Sequence, residues 1–218
     1  MKKKHKIPWP TKAAMEQIYQ MKLWGGSTYD FYSGDGSYHT EITQPYIKEV
    51  QKFLETFQKP IVVCDLGCGD FNIGKDLFNY SKYYYALDIV ETLINRNIEK
   101  FKASNLEFNC VDIANEELPK ADCAIVRQVL QHLSNREVEQ VIEKLKKFKY
   151  IILTEHIPST EFTSNKDIIS GQGIRLKKNS GLDILKPPFN FEPKETKELL
   201  VTELENDKGT IVTKLFVT

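Results

Sequence analysis

The sequence predicts an α/β fold in which a parallel sheet carries helices on both faces. Three observations predict it. Short apolar runs alternate with helix-spaced segments from Ile61 to Thr154, three successive runs end in an aspartate, and the first of them opens into the paired-glycine turn Gly67-Cys68-Gly69. Such sheets bind ligands at the carboxyl ends of their strands, near the point where strand order reverses.

After Pro8-Trp9-Pro10, the stretch Thr11 to Leu23 carries Ala14, Ile18 and Met21 at helical spacing. Leu23 to Tyr38 then loses all periodicity and is rich in glycine, serine and aromatic residues. It reads either as a capping loop or as a lid over a ligand. Pro45 suits a first helical turn, and Tyr46, Ile47, Val50, Phe53, Leu54 and Phe57 follow on one face. Ile61 to Cys64 is a strand buried on both sides, leading through the glycines into a short helix. Tyr83 to Asp88 is a second strand, followed by a segment with Ile94, Ile98 and Phe101 at helical spacing. Leu106 to Asp112 and Cys123 to Val126 are the third and fourth strands. Ser134-Asn-Arg-Glu137 reads as a capping box ahead of Val138, Val141, Ile142 and Leu145, and Tyr150 to Thr154 is the fifth strand. Glu155 to Lys194 lacks regular patterning and is read as substrate-facing, while Leu199 to Leu204, a turn over Asn206 to Gly209 and Thr210 to Val217 form a terminal hairpin.

With 218 residues, 41% of them hydrophobic, the chain suits one domain over 1–218, with N-terminal helices and loop over 1–58 and an insertion over 155–198. Thirty basic residues balance thirty acidic ones, so no overall field draws it to nucleic acid or to an anionic membrane. The start Met1 to Lys6 is basic but leads into Ile-Pro-Trp-Pro rather than an apolar run, which argues against a secretory signal; Lys2, Lys3, Lys4 and Lys6 read as a solvated terminus. Cys64, Cys68, Cys110 and Cys123 lie in or beside apolar runs, and the Cys64/Cys68 spacing, which could serve a metal, has no companion pair, so they are expected to be buried, reduced thiols of a cytoplasmic protein, and no metal is expected.

The strand-end acids carry the chemistry. Asp65 closes the first strand, Asp88 sits where a carboxylate can take ribose hydroxyls, and Asp112 is within reach of an adenine amino group. Any one alone would be a turn acid or cap; in series beside Gly67 and Gly69 they read as a nucleoside-cofactor site. A dinucleotide-dependent oxidoreductase would share the turn and Asp88, but its third glycine sits three residues after the second, whereas Gly74 lies five after Gly69.

Asp65-Leu-Gly-Cys-Gly-Asp70, Ala86-Leu-Asp88, Val111-Asp-Ile113 and Arg127-Gln-Val-Leu-Gln-His-Leu133 resemble the motifs of the class I S-adenosylmethionine-dependent methyltransferases, over roughly Ile61 to Thr218. The resemblance implies a Rossmann-like three-layer sandwich with a seven-stranded, mostly parallel sheet and a C-terminal antiparallel hairpin. It also implies S-adenosylmethionine as cofactor. Gly67 and Gly69 would bound its methionine part with Asp65 near the ammonium, Asp88 would hold its ribose, Asp112 and Ile113 its adenine, and Arg127 and Gln128 would lie under the sulfonium, with Trp24, Cys68 and Ile89 also against the cofactor. Phe71 departs from the motif where a glycine is common, which the turn tolerates if its ring points away from the cofactor. Trp24-Gly-Gly-Ser, Ser33-Gly-Asp-Gly-Ser37, Gly171-Gln-Gly-Ile-Arg175 and Pro187-Pro-Phe189 further resemble a small bacterial branch that looks like tailoring enzymes of surface-glycan and natural-product pathways.

Methyl transfer is an in-line displacement, so alignment in a water-poor site is the main requirement and a base is needed only for a protonated acceptor. His156, just after the fifth strand, is the preferred base, with His132 and Glu155 as alternatives; His132 also suits a structural role. An anionic acceptor oxygen would need no base, and Arg175 could clamp it, with Tyr32 on the acceptor side. The expected reaction is methylation of an oxygen, less readily a nitrogen, of a small molecule. A capsule or surface-polysaccharide precursor, nucleotide-linked or phosphoramidate-bearing, fits this reading; an RNA or protein methyltransferase is the alternative.

Overall fold

The computed structural model describes residues 8–205 and 208–218. Lys2, Lys3, Lys4 and Lys6 and the turn residues Asn206 and Asp207 lie outside the described residues.

Among the described residues seven strands form one sheet: β1 (Val62–Leu66), β2 (Tyr83–Asp88), β3 (Leu106–Cys110), β4 (Cys123–Arg127), β5 (Tyr150–Ile157), β6 (Glu195–Glu203) and β7 (Thr210–Val217). Their order is β3-β2-β1-β4-β5-β7-β6, with β7 antiparallel to both β5 and β6 and the other pairings parallel. The order reverses between β1 and β4, so their carboxyl ends diverge there into a crevice.

Alternation along the strands divides the core in two. On one face Cys64, Leu66, Leu87, Ala124, Val126, Ile151 and Leu153 pack with Val138, Val141, Ile142 and Leu145 of α4 (Asn135–Leu145). On the other, Val63, Tyr84, Ala86, Phe108, Ile125 and Ile152 pack with Tyr46, Ile47, Val50 and Leu54 of α2 (Thr40–Glu55) and Ile94 of α3 (Glu91–Lys100). This is the Rossmann-like three-layer sandwich with a closing hairpin. Ser134 caps α4 as expected: its side chain accepts from Glu137 N while Glu137 reaches back to Ser134 N.

Several local expectations are corrected. α1 ends at Gln20 (Thr11–Gln20), and α2 begins at Thr40, leaving Pro45 inside the helix rather than in its first turn. The link from β1 to β2 holds two 3₁₀ turns, Gly74–Asp76 and Phe78–Tyr80, in place of a short α-helix. Phe71 explains this: it takes a left-handed φ of 62° and sends a fully buried ring away from the strand ends to meet Tyr84, Phe101 and Phe108. A Cβ on Gly74 would sit 2.2 Å from that ring, so the displaced glycine makes room for the phenylalanine. In α3, Ile98 is exposed and Asn97 is buried instead. Cys110 is exposed, while Cys64, Cys68 and Cys123 are buried, and all four are free. The unpatterned stretch starts only after Ile157, because β5 runs three residues past Thr154. Among the described residues no helix is long and apolar enough to cross a membrane.

Candidate active site

A cavity of about 330 Å³ opens over the carboxyl ends of β1, β2 and β4. The glycine turn forms its floor. Gly67 N and Cys68 N both donate to Leu87 O at 2.8 Å, which ties the turn to β2. Gly67 and Gly69 have φ of 81° and 55°, and a Cβ on Gly67 would lie 2.4 Å from Val129, so the turn can pass this close to the segment after β4 only without side chains.

Each strand-end acid has a distinct environment. Asp65 Oδ2 accepts from Tyr84 OH at 2.9 Å, and burial pushes its carboxyl up to about 7. Asp88 accepts from Gly69 N at 3.1 Å and Val90 N at 3.0 Å; burial lifts it to about 6 against those two bonds. Asp112 lies two residues beyond β3 and accepts from Ala114 N and from Asn115, so it also organises the turn that follows. Asp65, Gly67, Cys68, Gly69, Asp88, Ile89, Asp112, Ile113, Arg127, Gln128 and Trp24 all line this one cavity.

The loop between α1 and α2 supplies the roof through Trp24, Ser33, Gly34, Gly36 and Ser37. Asp70, next after the glycine turn, holds it. Its Oδ2 accepts from Ser33 N at 3.0 Å and Tyr38 OH at 2.8 Å, while Asp70 N donates to Ser33 Oγ at 2.9 Å. Asn72 Nδ2 donates to Ser37 O at 2.6 Å. Arg96 and Lys100 of α3 hold Asp30 at 2.8 and 2.9 Å, keeping its carboxyl well below the usual range. Asn97 Nδ2 braces the floor at Gly69 O, 2.8 Å away.

Beyond the floor, the wall is the segment after β4. Gln128 has a left-handed φ of 56° and its N–H donates to Thr154 O at 2.7 Å. His132 lines the cavity with its Nδ1 3.1 Å from Gly171 O and its ring 5.2 Å from that of Trp24. Burial pushes the imidazole down to about 4, so it is neutral near pH 7.

Four residues assigned to the acceptor side lie elsewhere. His156 Nε2 sits 2.7 Å from Lys208 O, outside the cavity lining. Glu155 points into a separate small cavity beside Phe162 and Leu182, buried and with neither oxygen hydrogen-bonded. Tyr32 lies on the outer side of the loop with Tyr29 and Tyr38. Arg175, only 1% exposed, spends all its donors on protein: Nε on Lys166 O, one terminal nitrogen on Leu130 O and Gln131 O, the other on Leu133 O and Asn135 Oδ1. Conversely, sequence reading passed over Tyr19, Ser33, Tyr46, Asp70 and Gln131. Asp70 and Ser33 were legible as members of the glycine-bearing motifs, whereas Tyr46 looked like any other core residue of its helix.

Residues 64–148 match the family model described as a methyltransferase domain. No curated protein matches the sequence. Among solved structures, the N-methyltransferase NodS from Bradyrhizobium japonicum WM9 in complex with S-adenosyl-L-homocysteine is similar at a TM-score of 0.65 and 12% identity, covering 94% of this chain and 98% of that one. Magnesium protoporphyrin IX methyltransferase from Synechocystis PCC 6803 with bound SAM gives 0.63 and 17%, covering 98% and 100%. The N-terminal domain of EvdMO1, solved in the presence of SAH and D-fucose, gives 0.58 and 14%, covering 93% and 94%. At these identities the likeness is one of fold. Residues 64–148 thus match a methyltransferase domain model, and the chain as a whole has the Rossmann-like fold of the class I, S-adenosylmethionine-dependent methyltransferases.

Proposed function

We propose that the chain transfers the methyl group of S-adenosylmethionine to an oxygen of a small-molecule acceptor. One observation carries this reading: a single roofed cavity joins Asp112, Asp88 and Asp65, in strand order, to Arg127, Gln128 and His132 beyond them. The residues present fit the cofactor. Asp88 keeps acceptor capacity beyond its two backbone bonds for ribose hydroxyls, Ile89, Val111 and Ile113 offer apolar surface to adenine, and the bare Gly67–Gly69 turn leaves room for the amino-acid end, with Asp65 suited to its ammonium. Bound there, S-adenosylmethionine supplies an electrophilic methyl carbon on a sulfonium.

The protein's part is alignment and exclusion of water, through the roof that Asp70 and Arg96 hold down. His132 offers a neutral ring nitrogen beside the cavity, but an imidazole depressed to about 4 is a weak base toward an alcohol. That favours an acceptor oxygen that arrives already ionised. A surface-glycan or natural-product precursor carrying a carboxylate or phosphate-type group is the acceptor class we propose, in keeping with the loop motifs at Ser33 to Ser37 and Gly171 to Arg175.

The test is direct. S-adenosylhomocysteine should raise the melting temperature and NAD should not, and labelled methyl should pass to anionic precursors in preference to neutral alcohols. Stabilisation by NAD instead would overturn the cofactor, and transfer to alcohols with a rate set by a group titrating near pH 7 would overturn the acceptor class.

A further inference from the structure

Arg175, the cation the sequence suggests for an anionic ligand, has its donors saturated by protein acceptors. The cation that remains inside the cavity is Arg127. Its guanidinium lies with its carbon 4.8 Å above the Tyr46 ring; one terminal nitrogen donates to Gly36 O at 2.6 Å and the other approaches Ser37 Oγ at 3.4 Å. Nε–H is buried and has no hydrogen-bond partner, and among the described residues no ion pair includes Arg127. Directly beneath, Tyr46 is 2% exposed, and among the described residues its hydroxyl makes no hydrogen bond; the neighbouring Thr154 hydroxyl is paired with Thr213 Oγ1 at 2.9 Å. Both residues line the cavity.

Two buried donors without acceptors, one of them cationic, are costly unless a ligand completes them. Asp65, across the site, favours the charged guanidinium, but it makes no ion pair with Arg127 and its Oδ2 accepts from Tyr84. We propose that Arg127 and Tyr46 form an oxyanion subsite, built for a carboxylate or phosphate-type group that accepts from the guanidinium and the phenol. Guanidinium geometry suits such planar or tetrahedral oxyanions. On this view Gly36 O holds the guanidinium until an anion takes its place, coupling ligand arrival to the roof. The proposal rests on the methyltransferase reading for its two sources of anion: the α-carboxylate of the cofactor and an anionic group of the acceptor.

Binding to the full chain separates them. S-adenosylhomocysteine, 5′-methylthioadenosine, which lacks the amino-acid end, and inorganic phosphate added to protein saturated with S-adenosylhomocysteine are titrated against wild type, Arg127→Gln and Tyr46→Phe; Arg127→Lys tests rescue by charge. If the cofactor's carboxylate is the ligand, Arg127→Gln should weaken S-adenosylhomocysteine about tenfold or more and leave 5′-methylthioadenosine unchanged. If the acceptor's anion is the ligand, both nucleosides should bind as before, and phosphate binding should be lost in Arg127→Gln, reduced in Tyr46→Phe and partly kept in Arg127→Lys. Equal losses for both nucleosides, or no change for any probe, would overturn the subsite. Tyr46→Phe removes one unpartnered oxygen, so it remains decisive if Arg127→Gln does not fold. If wild type binds neither nucleoside, the methyltransferase reading fails by itself, and the subsite is then judged by Arg127-dependent phosphate binding to the chain alone.

Discussion

Glu155→Gln isolates the most unusual ionisable group outside the cavity. The side chain is 4% exposed and neither oxygen is hydrogen-bonded. Burial raises the carboxyl from 4.5 to about 8, with Arg175 and the nearby backbone of Gln131 and Leu130 opposing the rise, and Asp183 and Lys214 line the same small cavity. A folded-state value above the unfolded one means the native protein keeps a proton that the unfolded chain has released. Stability therefore falls as pH rises from about 4.5 and levels off above about 8. A rise of that size corresponds to as much as about 5 kcal/mol across the window, at roughly 1.4 kcal/mol per pH unit. Glutamine has nearly the same shape and does not titrate, though its extra N–H donors add a constant cost of about 1–3 kcal/mol. That cost shifts the whole curve by a constant and leaves the slope of the difference with pH unchanged. Urea unfolding at pH 5, 7 and 9 should show the variant gaining on wild type by on the order of 4 kcal/mol. Parallel pH–stability curves for the two proteins would refute a buried, proton-retaining Glu155.

Other perturbations test the site itself. Asp88→Ala should weaken S-adenosylhomocysteine at least tenfold, and in wild type the affinity should fall as pH drops through about 6, where Asp88 takes its proton; calorimetric titration checks both. His132, held near 4, binds fewer protons folded than unfolded, so it adds stability that is lost as pH falls from 6.5 toward 4; His132→Gln should flatten that limb in melting curves. Asp70→Ala removes the anchor of Ser33 and Tyr38, and amide exchange across the 24–38 loop should quicken by roughly 10–100-fold with the cofactor absent. Arg175→Lys keeps the charge but has three donors for five acceptors, so it should cost about 2–4 kcal/mol in denaturant unfolding.

How much of this was readable depended on how far apart the partners lie along the chain. The glycine-turn half of the cavity is written locally. Asp65 to Asp70 runs continuously from the end of β1 through the glycine turn, Asp88 ends β2 and Asp112 follows β3 by two residues, and the alternation that marks those strands also marks their carboxyl ends. The other half is assembled from distant pairs: Arg127 meets Gly36 across 91 residues, Arg175 meets Leu130 across 45, and Ser33 meets Asp70 across 37. A sequence displays the charge of Arg175 but not the carbonyls that saturate it, so its donors look available when they are not. Likewise, that β5 continues to Ile157 decides where His156 goes. With the strand ending at Thr154, His156 would begin a loop free to turn toward the cavity; as a strand residue paired with Ile211, it is directed by the pleat, and its ring meets Lys208 O instead. The same logic exchanged Ile98 for Asn97 in α3, where a buried amide braces Gly69 O, a polar demand that apolar periodicity does not register. What sequence periodicity omits, therefore, is the satisfaction of buried polar groups. That is why Arg127 and Tyr46, inconspicuous as a strand end and a helix face, carry the sharpest remaining question about what this cavity binds.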